Sequence, residues 1–317
     1  MIDPLPPVHV VYENPDWLPP LVNGLEAEGF DVDLIDVVEG SVDPAEVPAD
    51  GIWLNRISPS SHTRGHGATI QLTREYLFWL EAHRRRVVNG LDQFELEMSK
   101  LRQDLVLRKY GIATPRTFLG VGAEHLRKLA QQFDGPFITK HNQGGKGLGI
   151  HLFHDADAFD AHLESGDFDA GPDGKVILQQ YIDAGQPYIT RVEIVGGRFL
   201  FAMRSATDDG FELCPSDACQ PTVANCPTDG SGPTSKFSPS PLTSDDPLVR
   251  QLTVMCRDEG LEIAGIEFVE DAAGNRYTYD INGTTNYSGV LGEQIGVDGM
   301  REVARYLRYE VAPSLVS

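Results

Sequence analysis

A glycine-rich stretch between two short apolar segments constrains the fold of this chain more than any other feature of its sequence. It runs from Phe137 to Phe153, and four glycines fall within six residues of it: Gly144, Gly145, Gly147 and Gly149. Glycine adopts positive φ without strain and lets the backbone approach a ligand closely. Successive backbone N–H groups then form a concavity that suits phosphate oxygens. The stretch is therefore predicted to be a β-hairpin whose loop covers phosphates, with Lys140 behind it; a plain glycine-rich turn is the alternative.

Two better-known phosphate-binding loops do not fit this stretch. A Walker loop needs Gly-Lys followed by Ser or Thr and a helix, whereas Lys146 is followed by Gly147 and a β-like run. A dinucleotide-binding loop needs G-x-G-x-x-G at the start of a helix, and no such pattern opens a helix here.

The charge balance excludes several classes of partner. The 317-residue chain has 47 acidic and 26 basic residues, for a formal net charge of −21. Such a surface repels nucleic acid and anionic lipid. No uncharged run approaches the roughly 20 residues of a membrane span, and the N-terminus lacks the pattern of a signal peptide. We therefore expect a cytoplasmic protein that binds neither nucleic acid nor membranes.

Cysteine usage does not indicate a disulfide framework, because the chain has four cysteines in 317 residues. Cys214, Cys219 and Cys226 cluster, and Cys256 follows. Their spacing is unusual for a zinc site, in which pairs two to four residues apart dominate. Free thiols are the simpler interpretation, and a thiol- or metal-dependent role is the alternative.

The first part of the chain alternates strands and helices. Strand-like segments at Val8–Tyr12, Phe30–Asp36, Gly51–Leu54 and Val87–Asn89 enclose helical patterns, which predicts an α/β domain with a mainly parallel sheet over residues 1–97. Ligands of such sheets bind beyond the carboxyl ends of the strands. Arg56 and Arg64 follow one such end, so either is a candidate substrate residue; solvated loop residues are the alternative.

A first hairpin in the C-terminal half is predicted from Tyr188 to Arg204, with a two-residue Gly196-Gly197 turn. Pairing Val195 with Arg198 makes two sets of side chains alternate across the sheet. One face receives Arg191, Glu193, Leu200, Ala202 and Arg204, and the core face receives Val192, Ile194, Phe199, Phe201 and Met203. Two arginines on one rigid face indicate either anion binding or ion pairing with Glu193.

A second hairpin carries oxygen ligands. It comprises Ile263–Val269 and Tyr277–Asn282, and alternation directs Ala264, Ile266, Phe268, Tyr277, Tyr279 and Ile281 inward. Glu267 then shares the opposite face with Thr278, Asp280 and Asn282. Carboxylate and carboxamide oxygens on adjacent strands suit Mg²⁺. Because unpaired carboxylates repel each other, a bound cation is the economical explanation, and an exposed polar face is the alternative.

The order of these features resembles the ATP-grasp family, and most closely its RimK-like branch, which joins amino acids to peptides or proteins. The shared features are a lysine-bearing helix, Lys140 before a glycine-rich loop, a Gln-Gln-Tyr-Ile strand end, paired arginines and an Asp-x-Asn ending. The resemblance spans the whole chain. It implies an α/β chain with the ATP-grasp fold, in which an N-terminal domain (1–97) precedes a central lobe (98–183) and a C-terminal lobe (184–317). The two lobes would clamp ATP, and the polar, proline-rich segment 207–247 would be a loop insertion.

The resemblance also implies roles for individual residues. Lys100 and Lys140 would contact the ATP phosphates under a loop formed by Gly144, Gly145, Lys146 and Gly147. The hinge strand that reads adenine through its backbone would be Gln179, Gln180, Tyr181 and Ile182; relatives commonly have an acid where Gln180 stands. The metal ligands for Mg²⁺ or Mn²⁺ would be Glu267, Asp280 and Asn282. Arg191 and Arg204 would lie near the γ-phosphate and the reacting carboxylate, and Ile189 replaces an acid common in relatives.

The activity implied is that of an ADP-forming carboxylate–amine ligase that works through an acyl phosphate. Its catalytic residues would be Lys140, Arg191 and Arg204, the last stabilising the oxyanion formed when the amine attacks. The expected partners are a small-molecule carboxylate and an amine, or a peptide or protein acceptor, and homo-oligomerisation stays open. The alternative is a non-catalytic ATP-binding regulatory module of the same fold.

Overall fold

The computed structural model describes residues 4–145, 147, 149–207 and 236–315. Lys146, most of the 207–247 segment, and Cys214, Cys219 and Cys226 lie outside these residues, so the statements made about them above stay predictions. No helix in the described ranges is long and apolar enough to cross a membrane. The described strands form three sheets, one of four parallel strands and two that are antiparallel.

The first sheet confirms the parallel α/β organisation predicted for the N-terminal part. Its strands, in the spatial order β2–β1–β3–β4, are β1 (Val8–Tyr12), β2 (Val32–Asp36), β3 (Ile52–Asn55) and β4 (Arg86–Val88). The helices of this part are α1 (Leu18–Ala27), α2 (Ala68–Ala82) and α3 (Leu91–Glu97). Strand β3 is buried along its whole length, because clusters around Leu54 and around Trp53 pack on its two faces. Burial on both faces is the usual condition of a parallel sheet.

The second sheet carries the glycine-rich hairpin. Its strands, in the order β5–β8–β6–β7, are β5 (Thr117–Gly120), β6 (Phe137–His141), β7 (His151–Phe153) and β8 (Val176–Gln180). Helix α4 (Lys100–Lys109) precedes it, and its other helices are α5 (Ala123–Ala130) and α6 (Ala156–Ser165). A cluster around Phe137 and Phe159 packs one face of the sheet against α5 and α6. Strands β6 and β7 pair antiparallel as predicted, and Gly147 and Gly149 in their connection have positive φ.

The third sheet is antiparallel and has the order β11–β10–β9–β12–β13. Its strands are β9 (Tyr188–Val195), β10 (Arg198–Ala206), β11 (Phe237–Pro239), β12 (Ile263–Glu270) and β13 (Arg276–Asn282). The associated helices are α7 (Pro247–Asp258), α8 (Gly289–Ile295) and α9 (Gly299–Tyr306). One face is apolar, where Val192, Ile194, Ile266 and Phe268 pack with residues of α7. The opposite face carries Arg191, Glu193 and Glu267.

A β-bulge in β10 corrects the prediction for the arginine pair. The Gly196-Gly197 turn has positive φ at both residues, and Val195 pairs with Arg198 as predicted. The register then shifts between Phe199 and Phe201, so that Arg191 lies opposite Met203 and not opposite Ala202, as an unbroken register would place it. One extra residue moves every later side chain to the other face. Arg204 therefore lies on the face opposite to Arg191, with its guanidinium 4.5 Å from the ring centroid of Tyr188. Phe201 and Met203, which were predicted to lie on the core face, lie instead on the face of Arg191.

A second bulge, in β13, leaves the predicted carboxylate face intact but changes its neighbours. Glu267 lies directly opposite Asp280, whereas Phe268 lies opposite Thr278, so Tyr279 is the extra residue. Thr278 therefore shares the core face with Phe268, and Tyr279, predicted to point inward, borders a cleft.

The carboxyl ends of the first sheet are tied directly to the third sheet. Asn89, at the end of β4, has φ of 51°, a conformation that asparagine tolerates better than most residues. Its side-chain amide donates to the carbonyl oxygens of Ile263 (2.8 Å) and Gly283 (2.7 Å). These bonds fix the start of β12 and the end of β13 against the loops that follow β3 and β4.

Candidate active site

A cleft of about 320 Å³ lies between the second and third sheets, and the loop after β3 borders it. The predicted site residues that line it are Lys100, Lys140, Gly144, Gly145, Gly147, Gln179, Gln180, Tyr181, Ile182, Arg191, Glu267, Asp280 and Asn282. Arg204 is not among them, which follows from the bulge in β10. The fold thus gathers residues that lie up to 182 positions apart in the chain around one cavity.

Two buried lysines enter the cleft from different elements. Lys100 begins α4, whose N-cap is Ser99, and its ammonium group pairs with Asp280. Lys140 lies on β6 and donates to the carbonyl oxygen of Tyr279 at 3.4 Å. Burial, followed by repulsion from Lys100, lowers the pKa of Lys140 to about 8. An anion that enters the cleft would stabilise the charged form of this buried lysine.

Both carboxylates of the third sheet are paired with cationic side chains. The expectation that they are unpaired, from which a bound cation was inferred, is therefore wrong. Glu267 accepts a hydrogen bond from Arg191 at 2.8 Å, and Asp280 pairs with Lys100. Burial raises the pKa of Glu267, which the charge of Arg191 opposes. Burial alone would also raise the pKa of Asp280, but the ammonium groups of Lys100 and Lys140 outweigh it and lower that pKa.

The donor set still fits a hard divalent cation. Asp280 faces Glu267 across two hydrogen-bonded strands, and Asn282 follows on the same face opposite Gly265. These side chains offer carboxylate and carboxamide oxygens, the ligands that Mg²⁺ prefers, and Mg²⁺ is usually bound by one or two carboxylates together with substrate phosphates. Among the described residues, no group of three or more His, Cys, Asp or Glu side chains could hold a metal ion. A cation here would therefore depend on two carboxylates, Asn282 and the bound substrate.

Arg191 is locked in a buried network. Its guanidinium donates to Glu193 at 2.6 Å, to Glu267 at 2.8 Å and to the hydroxyl of Thr285 at 2.7 Å. Arg191 crosses the backbone of β12 at Gly265, where an added Cβ would lie 2.0 Å from the nearest guanidinium nitrogen. Only glycine leaves room for this arrangement.

Replacing Gly265 by alanine tests the close approach of Arg191. The new methyl group must displace a guanidinium held by three hydrogen bonds, so we expect the free energy of unfolding to fall by about 1–3 kcal/mol, as overpacking usually costs. Chemical denaturation measures the change. Gly135 is the matched control, because an added Cβ there meets no atom within 4 Å. Equal stabilities of Gly265→Ala and Gly135→Ala would contradict the packing argument.

The strand end at Gln179 to Ile182 forms the wall opposite the third sheet. Gln179 is buried and donates to the hydroxyl of Thr117 at 2.9 Å. The side chain of Gln180 accepts a hydrogen bond from the backbone N–H of Arg116, while Tyr181 donates its backbone N–H to Pro136. Gln180 is thus part of the hydrogen-bonded connection between β8 and the residues that lead into β5.

The two arginines after β3 have different surroundings. Arg64 binds the buried carboxylate of Glu13 and stacks 4.7 Å from the ring centroid of Trp17. Arg56 is buried and donates to the carbonyl oxygen of Thr285 at 3.0 Å and to Oδ1 of Asn286 at 2.7 Å. Burial lowers the pKa of Arg56.

Several residues that organise the cleft were not found from the sequence. The backbone carbonyl oxygen of Asn142 accepts a hydrogen bond from the backbone N–H of Lys100 at 3.1 Å. This bond holds the start of α4 against the end of β6 and so fixes the position of Lys100 relative to Lys140. Gln103 makes two 3.0 Å hydrogen bonds with the backbone of Ile281, next to Asp280. Thr285 and Asn286 border the cleft. The polar run Asn-Gly-Thr-Thr-Asn after β13 was the one available signal for the last two.

Comparisons with known proteins agree with this fold. A model of the RimK-like ATP-grasp domain matches residues 98–212. A RimK-domain ATP-grasp protein from Sphaerobacter thermophilus superposes with a TM-score of 0.66 at 17% identity, covering 95% of this chain and 98% of the other. The D-cycloserine synthetase DcsG has a TM-score of 0.64 at 17% identity, with 95% and 98% covered. The macrocyclase MdnC from Microcystis aeruginosa, bound with its precursor peptide, has a TM-score of 0.61 at 14% identity, with 95% and 98% covered.

No curated protein matches the chain closely enough to serve as a relative. At identities of 14–17%, the solved structures establish the fold. The match to the family model covers the lysine-bearing helix, the glycine-rich hairpin and the first strands of the third sheet. Residues 98–212 therefore match the RimK-like ATP-grasp domain, and the chain as a whole has the ATP-grasp fold.

Proposed function

We propose that the protein is an ADP-forming carboxylate–amine ligase. The observation that carries the proposal is the convergence of two buried ammonium groups, Lys100 and Lys140, and two carboxylates, Glu267 and Asp280, on one cleft beside a glycine-rich loop. Cations suit the oxygens of a triphosphate, and the carboxylates suit the metal that accompanies it. The proposed division of the chain stays at residues 97 and 183, so that the cleft lies between a central and a C-terminal lobe.

The reaction begins with an oxygen of the substrate carboxylate attacking the γ-phosphorus of ATP, which breaks the bond to the bridging oxygen and releases ADP. An amine then attacks the carbonyl carbon of the acyl phosphate, phosphate leaves with the electron pair of the broken C–O bond, and the amine loses a proton. Such chemistry depends on positioning and on neutralising charge.

The chain's own residues supply that neutralisation. Lys100 and Lys140 would hold the phosphates, and Gln179 to Ile182 would border the base. Glu267, Asp280 and Asn282 would hold Mg²⁺, which neutralises negative charge on the phosphates when it is bound. We assign the cationic role near the γ-phosphate to Arg191 and not to Arg204, because Arg191 alone of the two lines the cleft.

We infer that the acceptor belongs to the amino acids or peptides. Solved structures with this fold include ligases complexed with precursor peptides, such as PsnB with its minimal precursor. A peptide acceptor would approach the cleft from the side of the loop after β3, where Trp17, Ser58 and Ser60 line it.

The proposal is tested by trapping the acyl phosphate. Hydroxylamine replaces the amine substrate, so a panel of carboxylates can be screened with Mg·ATP for hydroxamate and ADP formation. We expect at least one carboxylate to give both products in equal amounts. ATP binding without ADP release for any carboxylate would instead favour a non-catalytic nucleotide-binding module.

The affinity for Mg·AMPPNP is expected to fall as the pH rises above about 8, the pKa of Lys140. Below this pH the ammonium group is charged and attracts the triphosphate. Above it, binding must first take up a proton, so the affinity should fall by up to about tenfold per pH unit. Calorimetry from pH 7 to 9.5 measures this slope. The Lys140→Met variant should bind more weakly at pH 7 and lose the slope; an unchanged slope would assign it to another group.

A further inference from the structure

Arg56 is a buried cation without a carboxylate partner among the described residues. Its side chain donates to two neutral oxygens, the carbonyl of Thr285 and Oδ1 of Asn286, and 6% of the residue is exposed. The charge of Glu97 acts on it, but that carboxylate accepts hydrogen bonds from Thr284. Arg191, in contrast, is paired with two carboxylates. Burying a charge costs free energy unless the charge is paired. A bound anion close to Arg56 would offset this cost.

The contact with Arg56 also fixes the orientation of Asn286. A guanidinium group can only donate hydrogen bonds, so the atom of Asn286 that lies 2.7 Å from it must be the amide oxygen. The NH₂ group of Asn286 then points away from Arg56. Asn286 lines the cleft, and the structure gives its NH₂ group no acceptor among the described residues. The buried charge of Arg56 thus stands behind an amide donor that borders the cleft.

Thr285 places this donor beside the phosphate end of the proposed nucleotide site. Its carbonyl oxygen accepts from Arg56 at 3.0 Å, while its hydroxyl accepts from Arg191 at 2.7 Å. Arg191 in turn contacts Glu267. Asn286 is therefore linked through the adjacent Thr285 to Arg191, the residue assigned to the γ-phosphate, and Ser58 lines the same cleft.

We propose that the amide of Asn286, positioned by Arg56, binds the carboxylate of the substrate that is to be phosphorylated. This inference rests on the proposed ligase function, in which that carboxylate must lie next to the γ-phosphate. The chemistry recognised is an oxyanion, which the carboxylate or the γ-phosphate itself could supply. The carboxylate is favoured because Lys100, Lys140 and Arg191 already offer cations to the phosphates, whereas Arg56 and Asn286 lie on the side of the loop after β3.

The decisive variant is Asn286→Asp, which has nearly the same shape. The carboxylate introduced by this substitution would pair with Arg56 and so supply the negative charge that Arg56 lacks in the parent protein. We expect the variant to be at least as stable as the parent in thermal denaturation. It should nevertheless bind carboxylates about tenfold or more weakly, the loss expected when a hydrogen bond to a charged group is removed. Arg56→Met should weaken carboxylate binding likewise, and Arg198→Met, which removes an exposed arginine paired with Glu310, should change nothing.

The probes are N-acetyl-L-glutamate, N-acetyl-L-aspartate and N-acetylglycine, titrated by NMR into the protein saturated with Mg·AMPPNP. Calorimetry of Mg·AMPPNP alone distinguishes the two sources of the oxyanion. Weaker carboxylate binding with unchanged nucleotide binding in Asn286→Asp supports the proposal. Weaker nucleotide binding with unchanged carboxylate binding would place the γ-phosphate there and overturn it.

Two further outcomes separate this inference from the ligase function. If none of the three carboxylates binds the parent protein, or if Asn286→Asp binds them equally well, the subsite is refuted, whatever the hydroxylamine assay shows. If carboxylates bind in the expected way but no ADP is released with any of them, the subsite stands and the ligase function fails.

Discussion

The Asp280→Asn variant is expected to lose at least about a hundredfold in ADP release, the range seen when one preorganised charge-stabilising group is removed from an active site. Asp280 is ionised, because Lys100 and Lys140 lower its pKa against the effect of burial. Its replacement removes a proposed metal ligand and leaves the ammonium group of Lys100 buried without its partner. Mg²⁺-dependent binding of AMPPNP, measured by calorimetry with and without the metal, should weaken in parallel.

Asp246→Asn is the control variant, because it also removes a carboxylate that pairs with a basic side chain, here that of Arg276 in the third sheet. Asp246 binds Arg276 at 2.8 Å and caps α7, and it is not among the residues that line the cleft. It should therefore lose stability without losing Mg²⁺-dependent nucleotide affinity. If Asp280→Asn kept the metal dependence of the parent, the assignment of Glu267, Asp280 and Asn282 as a metal site would fail.

The Arg191→Met variant is expected to lose about 3–5 kcal/mol of unfolding free energy, because removing one member of a buried charge network leaves its partners uncompensated. Glu193 is fully buried and Glu267 nearly so, and both accept hydrogen bonds from Arg191. Urea denaturation measures the loss. Arg127→Met is the matched control, since Arg127 also pairs with several carboxylates but on the surface, where solvent screens such pairs and they contribute little to stability.

The pH dependence of this loss has a defined sign. Burial raises the pKa of Glu193 in the folded protein, and Arg191 opposes that shift. Without Arg191 the pKa rises further, so the folded variant binds more protons than the unfolded chain above the ordinary pKa of glutamate. Its stability should then fall as the pH rises and recover as the pH is lowered toward 5. A loss independent of pH would mean that the methionine disturbs packing and that the charges contribute little.

Much of this site could be predicted because local sequence patterns constrain it. The spacing of glycines after Lys140 predicts the hairpin of β6 and β7, and the Gly196-Gly197 turn predicts the pairing of Val195 with Arg198, both of which the structure confirms. The alternation of polar and apolar residues around Glu267 and Asp280 predicts that the two share one face of the sheet, as they do. Each inference uses residues within about twenty positions of each other.

The faces assigned beyond a bulge were wrong for a physical reason. Alternation predicts a face only while each residue pairs with one partner, and an extra residue reverses it. The bulge in β10 moves Arg204 away from Arg191, and the bulge in β13 moves Thr278 into the core. Neither bulge is marked in the sequence by a glycine or proline, since Leu200 and Tyr279 are ordinary strand residues.

The sequence by itself determined the family resemblance, the parallel N-terminal sheet and the residue types that converge on the cleft, because these depend on local periodicity and on the order of motifs. Tertiary structure alone decided which charges are paired. Arg191 satisfies Glu193 and Glu267, Lys100 satisfies Asp280, and Arg56 faces two neutral oxygens. Pairing depends on distances of a few ångströms between residues up to 230 positions apart, and no local pattern encodes such distances.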